Sequence, residues 1–505
     1  MPLLTDRYAD KIRGVLSCWD RVVLTGTIPE ICYADAMARH LGKRGVRLFD
    51  FPKYAEPLRD EIRENAERIA REAGLKIDHN RRKDFRKEER IKEIVAQRGD
   101  HPGLVHIFSA MESCTSFRPW HDKQSHRTFL KHRKAQCIHY YFYFIDEELG
   151  LCYLRVPTWA PFRVQFYFNG HNWLAAQLNT KGVAHRLVDN AFFDIEDFAK
   201  AQEIVDRLSV KKVHRRLDRY ASLYCPVIAH YSSGYHWSLM QVEYATDVVF
   251  HKQSDLQPIY EAMTRTVVHA VKADDVATFL GRKLTGNYQD EVGNDYHIRI
   301  QGTRIRHHMG SASIKMYDKL GQILRIETTS NDVGFFKHRR KVEHRDGTSE
   351  MKIAPVRKSI YSLPDLADLL GAANRRYLEF VSALDDPTEG IKKVRKLADR
   401  ARENGRTYRG FNLFSADDLD LMLAISRGEH TITGFQNRQL RSLLGQKNAG
   451  QVSRMIKRLR LHGLVKKVAH RYKYYLTRFG RHVVTAALNL REMFVIPALT
   501  GENCP

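Results

Sequence analysis

Between Arg306 and Thr329 the chain reads RHHMGSASIKMYDKLGQILRIETT, two short β-type runs that meet at Gly321. Lys315, Tyr317, Asp318, Lys319, Arg325 and Glu327 fall within them. Phosphodiester cleavage uses such an inventory: a nucleophile, a metal or cation to neutralise charge developing on the phosphorus oxygens, and groups that move protons. Tyr317 could be the nucleophile or a phosphate ligand, with His308 and Lys319 as further candidate catalytic groups. Glu327, with Asp318 or His308, could hold a divalent ion, Mg or Mn, while Lys315, Lys319 and Arg325 could clamp the phosphate. An ordinary solvated sheet face would use the same residue types, so the elements that position them have to decide.

Strand alternation determines which side chains share a face. With Asp318 opposite Gln322, a three-residue loop of Lys319, Leu320 and Gly321 puts the glycine at the left-handed position such loops require. Ile314, Met316, Leu324 and Ile326 then line one face, and Lys315, Tyr317, Arg325 and Glu327 the other. A two-residue loop would mix charged and apolar groups on both faces. The preceding run TRIRHH, oriented by Ile305 toward the core, adds Arg304, Arg306 and His308 to the polar side. Arg304, Arg306, Lys315 and Arg325 are thereby the expected nucleic-acid contacts of this region.

The same stretch resembles rolling-circle replication initiators, the trans-acting plasmid Rep type and the filamentous-phage gene II proteins. These share a tyrosine-Gly-Ser segment, a basic strand, a Tyr-Asp-Lys and an Arg-Ile-Glu-like strand, matched here by Gly310, Ser311, Tyr317, Asp318, Lys319, Arg325 and Glu327 over about thirty residues. The resemblance implies engagement of a single strand, with nicking or strand transfer as its chemistry. One position departs from the pattern: the tyrosine before Gly-Ser is matched by His308, which leaves Tyr296 and Tyr317 as the nearest phenols.

Composition agrees with a polyanionic partner. The 505 residues carry 83 Lys and Arg against 59 Asp and Glu, a formal charge of +24. A surface that basic attracts nucleic acid, DNA being the preferred expectation and RNA the alternative. No apolar run approaches the length needed to span a bilayer, so no membrane partner is expected. The opening MPLLTDRYADKIRG lacks the order of a signal peptide, and seven scattered cysteines without a CxxC pair argue for a reducing, cytoplasmic setting. No P-loop occurs, which disfavours a nucleotide-driven motor.

Along the chain, residues 1–100 read as an α/β region with strands at RVVLTGTI and VRLFDF, then a charged helix carrying Ile91, Ile94 and Val95 as its apolar stripe. Residues 101–384 read as a β-rich, initiator-like core. Its strands LVHIFSAM, CIHYYFYFID, LGLCYLRVP and FRVQFYF include aromatics, Tyr140 to Phe144 and Phe166 to Phe168, that could stack bases. NGHNWLAAQL opens a helix capped by Asn169, and WHDKQSH and FNGHNW are polar clusters that could complete a site. The polar stretch 385–410 is the expected linker.

In the last expected domain, 411–505, the helical run VSRMIKRLRLHGL followed by the strand pair in VKKVAHRYKYYLT gives the pattern of a winged helix-turn-helix, and over about residues 411–490 the chain resembles the domains of bacterial regulators such as the MarR family. Val452, Met455, Ile456 and Leu459 recur at helical spacing and should face a core, leaving Gln451, Arg454, Lys457 and Arg458 on the far side. The resemblance places Gln451, Ser453 and Arg454 against bases, and Lys457, Arg458, His470, Arg471 and Lys473 against phosphates. The expected protein is thus α+β and multi-domain, a mixed-sheet core followed by a winged helix. Its expected function is metal-assisted cleavage, or binding, of a nucleic-acid strand. A non-enzymatic DNA-binding regulator and a structured-RNA partner are the alternatives.

Overall fold

The structure is a computed structural model in which residues 3–81, 85–284, 291–299, 302–344, 346–385, 387–412, 414–445, 447–468, 472–496 and 499 are described. The chain divides into two compact units, Met1–Asp385 and Asp386–Pro505.

The first unit begins with α1 (Leu4–Arg7), β1 (Ile12–Thr27), α2 (Ala34–Lys43), α3 (Phe51–Glu72), β2 (Ile77–Asn80) and α4 (Lys87–Arg98). Four strands follow, β3 (Gly103–Asp122), β4 (Arg127–Asp146), β5 (Gly150–Pro157) and β6 (Val164–Phe168). Next come α5 (Gly170–Thr180), the hairpin β7 (His185–Val188) and β8 (Ala191–Ile195), α6 (Phe198–Asp206), α7 (Val210–Tyr224) and β9 (His236–Phe250). Helices α8 (Gln253–Ala270) and α9 (Ala273–Phe279) precede β10 (Val292–Arg299), β11 (Gly302–Met309), β12 (Ala312–Lys319) and β13 (Ile323–Ser330). The hairpin β14 (Lys337–Glu343) and β15 (Ser349–Pro355) and the long α10 (Leu363–Asp385) complete the unit.

Eleven strands form one mixed sheet in the order β10-β11-β12-β13-β9-β1-β6-β5-β4-β3-β2. The β2–β3 pair is parallel and its other neighbours are antiparallel. β1 lies between β9 and β6, so residues 1–100 are not a separate region but supply a central strand of the same sheet. VRLFDF is not a strand: Leu48–Asp50 form a 3₁₀ turn and Phe51 starts α3. Phe51 is buried edge-on to Phe117 and Trp159, and Pro52 in the first turn suits a helix start.

One sheet face is apolar and covered. Phe142, Phe144, Leu154, Phe166 and Phe168 are buried there, Phe144 stacking on Tyr220 and Phe142 on Tyr224 of α7 at 4.1 and 4.4 Å between centroids. Farther along, Ile314, Met316, Leu324 and Ile326 are fully buried on the side packed by α8, α9 and α10. Each such side chain contributes roughly 1.5–3 kcal/mol of transfer free energy. The aromatics of β4 to β6 are not an open stacking platform. Tyr140, Phe142 and Phe144 belong to this core, and Tyr141 and Tyr143 lie in a second cluster under Ile91, Ile94 and Val95 of α4.

The second unit contains α11 (Pro387–Ala398), the hairpin β16 (Ala401–Glu403) and β17 (Arg406–Tyr408), α12 (Ala416–Ser426) and α13 (Gly428–Thr433). It continues with α14 (Asn437–Leu443), α15 (Ala449–Leu461), the hairpin β18 (Val465–Lys467) and β19 (Tyr474–Leu476), and α16 (Arg478–Asn489). The stretch 385–410 is therefore not a linker: Leu397 and Phe411 are buried in this unit's core with Leu421, Ile425, Val452, Ile456 and Leu459. No helix among the described residues is long and apolar enough to cross a membrane.

Candidate functional site

The hairpin of β12 and β13 keeps the expected partition of faces with a register shifted by two residues. Lys319 pairs with Ile323, Tyr317 with Arg325 and Lys315 with Glu327, so the loop is Leu320, Gly321 and Gln322. Leu320 and Gly321 both take positive φ, 57° and 77°, the twist a tight hairpin demands. Because the shift is even, no side chain changes sides.

Three rows of side chains run across the polar face. His308, Ser313, Thr329, Glu243 and Arg21 form one; Arg306, Lys315, Glu327, Ala245 and Cys18 the next. Tyr317, Arg325, Asp247 and Leu16 form the third. Asp20 joins through a bulge, the one residue of β1 between the pairs Trp19–Tyr244 and Arg21–Glu243, which re-aims its carboxylate toward Arg325.

Arg325 is the hub and is fully buried. Its Nε and Nη2 donate to the two oxygens of Asp247 at 2.6 Å each, its Nη1 to Asp20 Oδ1 at 3.3 Å and its Nη2 to the Asn190 carbonyl at 2.6 Å. His171 lies between the carboxylates, with Nδ1 3.3 Å from Asp20 Oδ1 and Nε2 3.6 Å from Asp247 Oδ2. The start of α5 places it. Asn169 caps the helix by accepting from the His171 amide and donates through Nδ2 to the Asp20 carbonyl at 2.5 Å. A Cβ at Gly170 would collide with the Trp19 carbonyl, so glycine is what lets α5 start against β1. From the β7–β8 turn, Asn190 donates to Asp20 Oδ1 and accepts from Lys319, which also pairs with Asp189 at 3.0 Å.

Beside the hub, Glu327 accepts from Lys315 at 2.6 Å and from the Tyr317 hydroxyl at 2.7 Å. Glu243 lies 3.8 Å from the same ammonium. Oxygens of Asp20, Glu243 and Glu327 all fall within 4.8 Å of one another, so the three carboxylates could hold a metal ion. Asp20 and Glu327 are buried, while Lys315 and Glu243 keep 17% and 15% of their side chains exposed and Arg21 is exposed, marking where the face opens.

Burial shapes the electrostatics in two ways. It opposes charge on Asp20 and Asp247, yet the Arg325 guanidinium and His171 hold both below the usual carboxylate range. Burial opposes charge on His171 as well, but hydrogen bonds to Asp20 and Asp247 raise its pKa. For Glu243, burial and then the charge of Glu327 push the carboxyl up, and Lys315 and Arg21 only partly offset them. Burial and Glu327 also drive the Tyr317 phenol well above its ordinary value.

Several expected site residues lie elsewhere. Asp318 is not a partner of Glu327: as the neighbour of Tyr317 on one strand it points to the opposite face, where burial raises its carboxyl to about 6. A carboxyl raised in the folded state favours the protonated form, so its penalty is absent below the unfolded value and grows as pH rises through about 6. Asp318→Asn should therefore melt higher than wild type at pH 8, with the gain vanishing near pH 4. Equal melting temperatures at both pH values would refute it.

Arg325 and Lys319 are consumed by the network, which leaves Arg325 unable to clamp a phosphate. His308 lies across Gly293 at the row beyond Lys315, with Nδ1 3.6 Å from Asp295. Along the strand its row is about 13 Å from that of Tyr317. Arg306 shares Asp295 at 3.6 Å, and Arg304 follows it on the same face. The groups missed from sequence are Asp20, Glu243, Asp247 and Asn190, while His171 comes from FNGHNW. Carboxylates an even number of residues apart, and so on one face, inside a largely apolar strand, as Glu243 and Asp247 in QVEYATDVV, are the signal that could have found them.

In the second unit, Asn448 caps α15 as expected, and Gln451, Ser453 and Arg454 are exposed on it. Lys457 pairs with Glu403, and Lys473 is half-buried. Arg471, with His470, lies outside the described residues. Arg458 is not outward. It is buried, donates to both oxygens of Asp418 at 2.6 and 2.7 Å and to the carbonyls of Arg409 and Gly410, and lies 3.9 Å over the Phe411 ring. Removing one partner of a buried pair strands the other charge. Arg458→Ala should lower the second unit's melting temperature by on the order of 10 °C; an unchanged melt would return Arg458 to the surface.

No family model matches the chain, and no curated protein or solved structure is significantly similar to it.

Proposed function

We propose that this protein binds nucleic acid and handles phosphodiesters at the polar face around Glu327. The observation that carries the reading is the convergence of Asp20, Glu243 and Glu327 beside Lys315 and the Tyr317 hydroxyl on one sheet face, partly exposed at Lys315 and Glu243. The donor set suits a hard divalent cation such as Mg or Mn, which takes carboxylate oxygens. The raised carboxyl of Glu243 marks negative charge that the protein's own cations leave under-compensated. Asp20, Glu243 and Glu327 would hold the ion, and it would supply neutralisation of charge on a phosphoryl oxygen.

The chain's own groups divide the remaining work. Lys315, at the partly exposed opening, meets a phosphate oxygen, with Arg306 next to it in the same row. Tyr317 is the attacking oxygen: its bond to phosphorus forms as the P–O bond to the leaving nucleoside breaks, and the phenolic proton passes to Glu327, already its acceptor. The leaving oxygen takes up a proton from solvent. This is the strand-breaking and covalent capture implied by the likeness to rolling-circle initiators, with Tyr317 in place of the tyrosine replaced by His308. The second unit is read as a winged helix, with α15 presenting Gln451, Ser453 and Arg454 to a duplex and Lys473 to its backbone.

The test is direct. Labelled single-stranded and duplex oligonucleotides incubated with the full chain and Mn²⁺ or Mg²⁺ should give a strand break and a denaturant-resistant protein–DNA adduct. Tyr317→Phe should abolish the adduct. Cleavage that persists in Tyr317→Phe removes the tyrosine from the chemistry, and no cleavage of any substrate makes the sheet a scaffold in a DNA-binding regulator.

A further inference from the structure

The longest pairing in the sheet extends well past its neighbours. β3 and β4 stay in register from near Gly103–Ile145 out to Asp122–Arg127. β2 pairs with β3 only over Ile107–Ala110, and β5 with β4 only over His139–Asp146. From Met111 and Ile138 outward the strands therefore run on as a two-stranded ribbon about 35 Å long at ~3.3 Å per residue, and its last three pairs, Trp120–Phe129 to Asp122–Arg127, extend past the outermost buried residue, Leu130.

A protruding pair of strands is marginal unless something anchors it. Phe117 and Leu130, 4% exposed each, tie it to the core as far out as the Pro119–Leu130 pair, and Ser116 accepts from the Trp159 indole at 2.9 Å. The ribbon nevertheless displays Arg118, Lys123, Arg127, Arg133 and Lys134 as exposed side chains. Residues 111–138 hold Arg118, Lys123, Arg127, Lys131, Arg133 and Lys134 against two carboxylates: Glu112, which accepts from Arg155 and the Tyr141 hydroxyl at the ribbon's base, and Asp122 at its tip. Asp122 is spent on the turn, where it accepts from the amides of Gln124 and Ser125 and from the Ser125 hydroxyl. Trp120 and Phe129, 40% and 37% exposed, pair across the strands near the tip. Lys131 sits 4.0 Å over the Trp120 ring and 5.3 Å over Phe129, and Arg118 5.3 Å over Trp120. The rings hold these cations in fixed, displayed positions.

We infer that this ribbon is a duplex-DNA-binding arm. It rests on the nucleic-acid part of the reading above and not on the chemistry at Glu327. A two-stranded ribbon fits the major groove of B-form DNA, whereas the deep, narrow major groove of duplex RNA excludes it. Rings already covered by cations serve poorly as stacking platforms for single-stranded bases, which turns the arm toward a paired backbone. The arm adds a third contact surface to α15 and the polar sheet face, and supplies affinity that is largely independent of sequence.

Fluorescence anisotropy with the full chain tests it on a duplex DNA, its single strand and a duplex RNA of the same sequence across a salt series. The variant Arg118→Ala/Lys131→Ala/Arg133→Ala should bind the DNA duplex on the order of 10-fold more weakly and lower the salt slope by about 2–3. Trp120→Ala should show a smaller loss in the same direction, by releasing Lys131. Lys211→Ala/Lys212→Ala/Arg215→Ala removes equal charge from exposed positions of α7 and should change binding by less than about 2-fold. Thermal melts establish that each variant is folded. Equal loss in the ribbon and α7 variants, or a loss as large on single-stranded DNA or duplex RNA, overturns the arm. Absence of wild-type binding to every probe instead overturns the nucleic-acid reading itself.

Discussion

Arg325→Met should destabilise the first unit by about 3–5 kcal/mol, because it leaves Asp20 and Asp247 buried without the guanidinium that neutralises both. The loss should appear as a lower urea midpoint at unchanged slope. Its pH dependence identifies the cause. In wild type both carboxyls are depressed, so their contribution is present above the ordinary carboxylate range and is lost as pH falls. Without Arg325 burial dominates and the same carboxyls move up, so the variant is favoured by protonation. The gap between the two proteins should narrow from pH 7 to pH 4. Arg325→Met/Asp247→Leu, which removes one stranded charge, should recover part of the loss. A constant gap, with no recovery in the double variant, would mean that Arg325 acts through packing alone.

Glu327→Gln carries the largest functional expectation. The amide can still accept from Tyr317 or Lys315, so the local fold should survive, but it supplies neither the anionic ligand nor the proton acceptor. Metal-dependent cleavage should fall by about 100-fold or more, with oligonucleotide affinity nearly unchanged. Glu243→Gln should weaken Mn²⁺ binding, followed by calorimetric titration, while relieving the repulsion that raises its carboxyl. Full cleavage by Glu327→Gln would end the proposal that this face does chemistry, and the buried network would then be read as a charged keystone holding β1, β9 and β13 to α5 and the β7–β8 turn.

Local patterns carried well into the structure. The partition of Ile314, Met316, Leu324 and Ile326 from Lys315, Tyr317, Arg325 and Glu327 depends on a period of two, and survives even a register error of two residues. The caps at Asn169 and Asn448, and the buried stripe of Val452, Ile456 and Leu459, likewise follow from chemistry within a few residues. Mistakes arose where distant segments compete. VRLFDF has strand composition, but Phe51 gains more by burial against Phe117 and Trp159 than by pairing. Arg458 lies on the outward arc of its helix until β17 and the segment after it, with Asp418, close over it. The polar stretch before residue 411 is structured because Leu397 and Phe411 have a core to enter.

What the amino-acid order determined by itself was a basic, α+β chain with one sheet face that gathers a phenol, cations and a carboxylate, since alternation and charge count are local properties. Only the tertiary structure decided that Glu327 is joined by Asp20 and Glu243 in place of Asp318, and that Arg325 is sealed among carboxylates. Those choices depend on β1 entering between β9 and β6, and on a one-residue bulge turning Asp20 inward. Pairing across more than two hundred residues is selected by the burial of whole faces, a quantity that no short window of sequence contains.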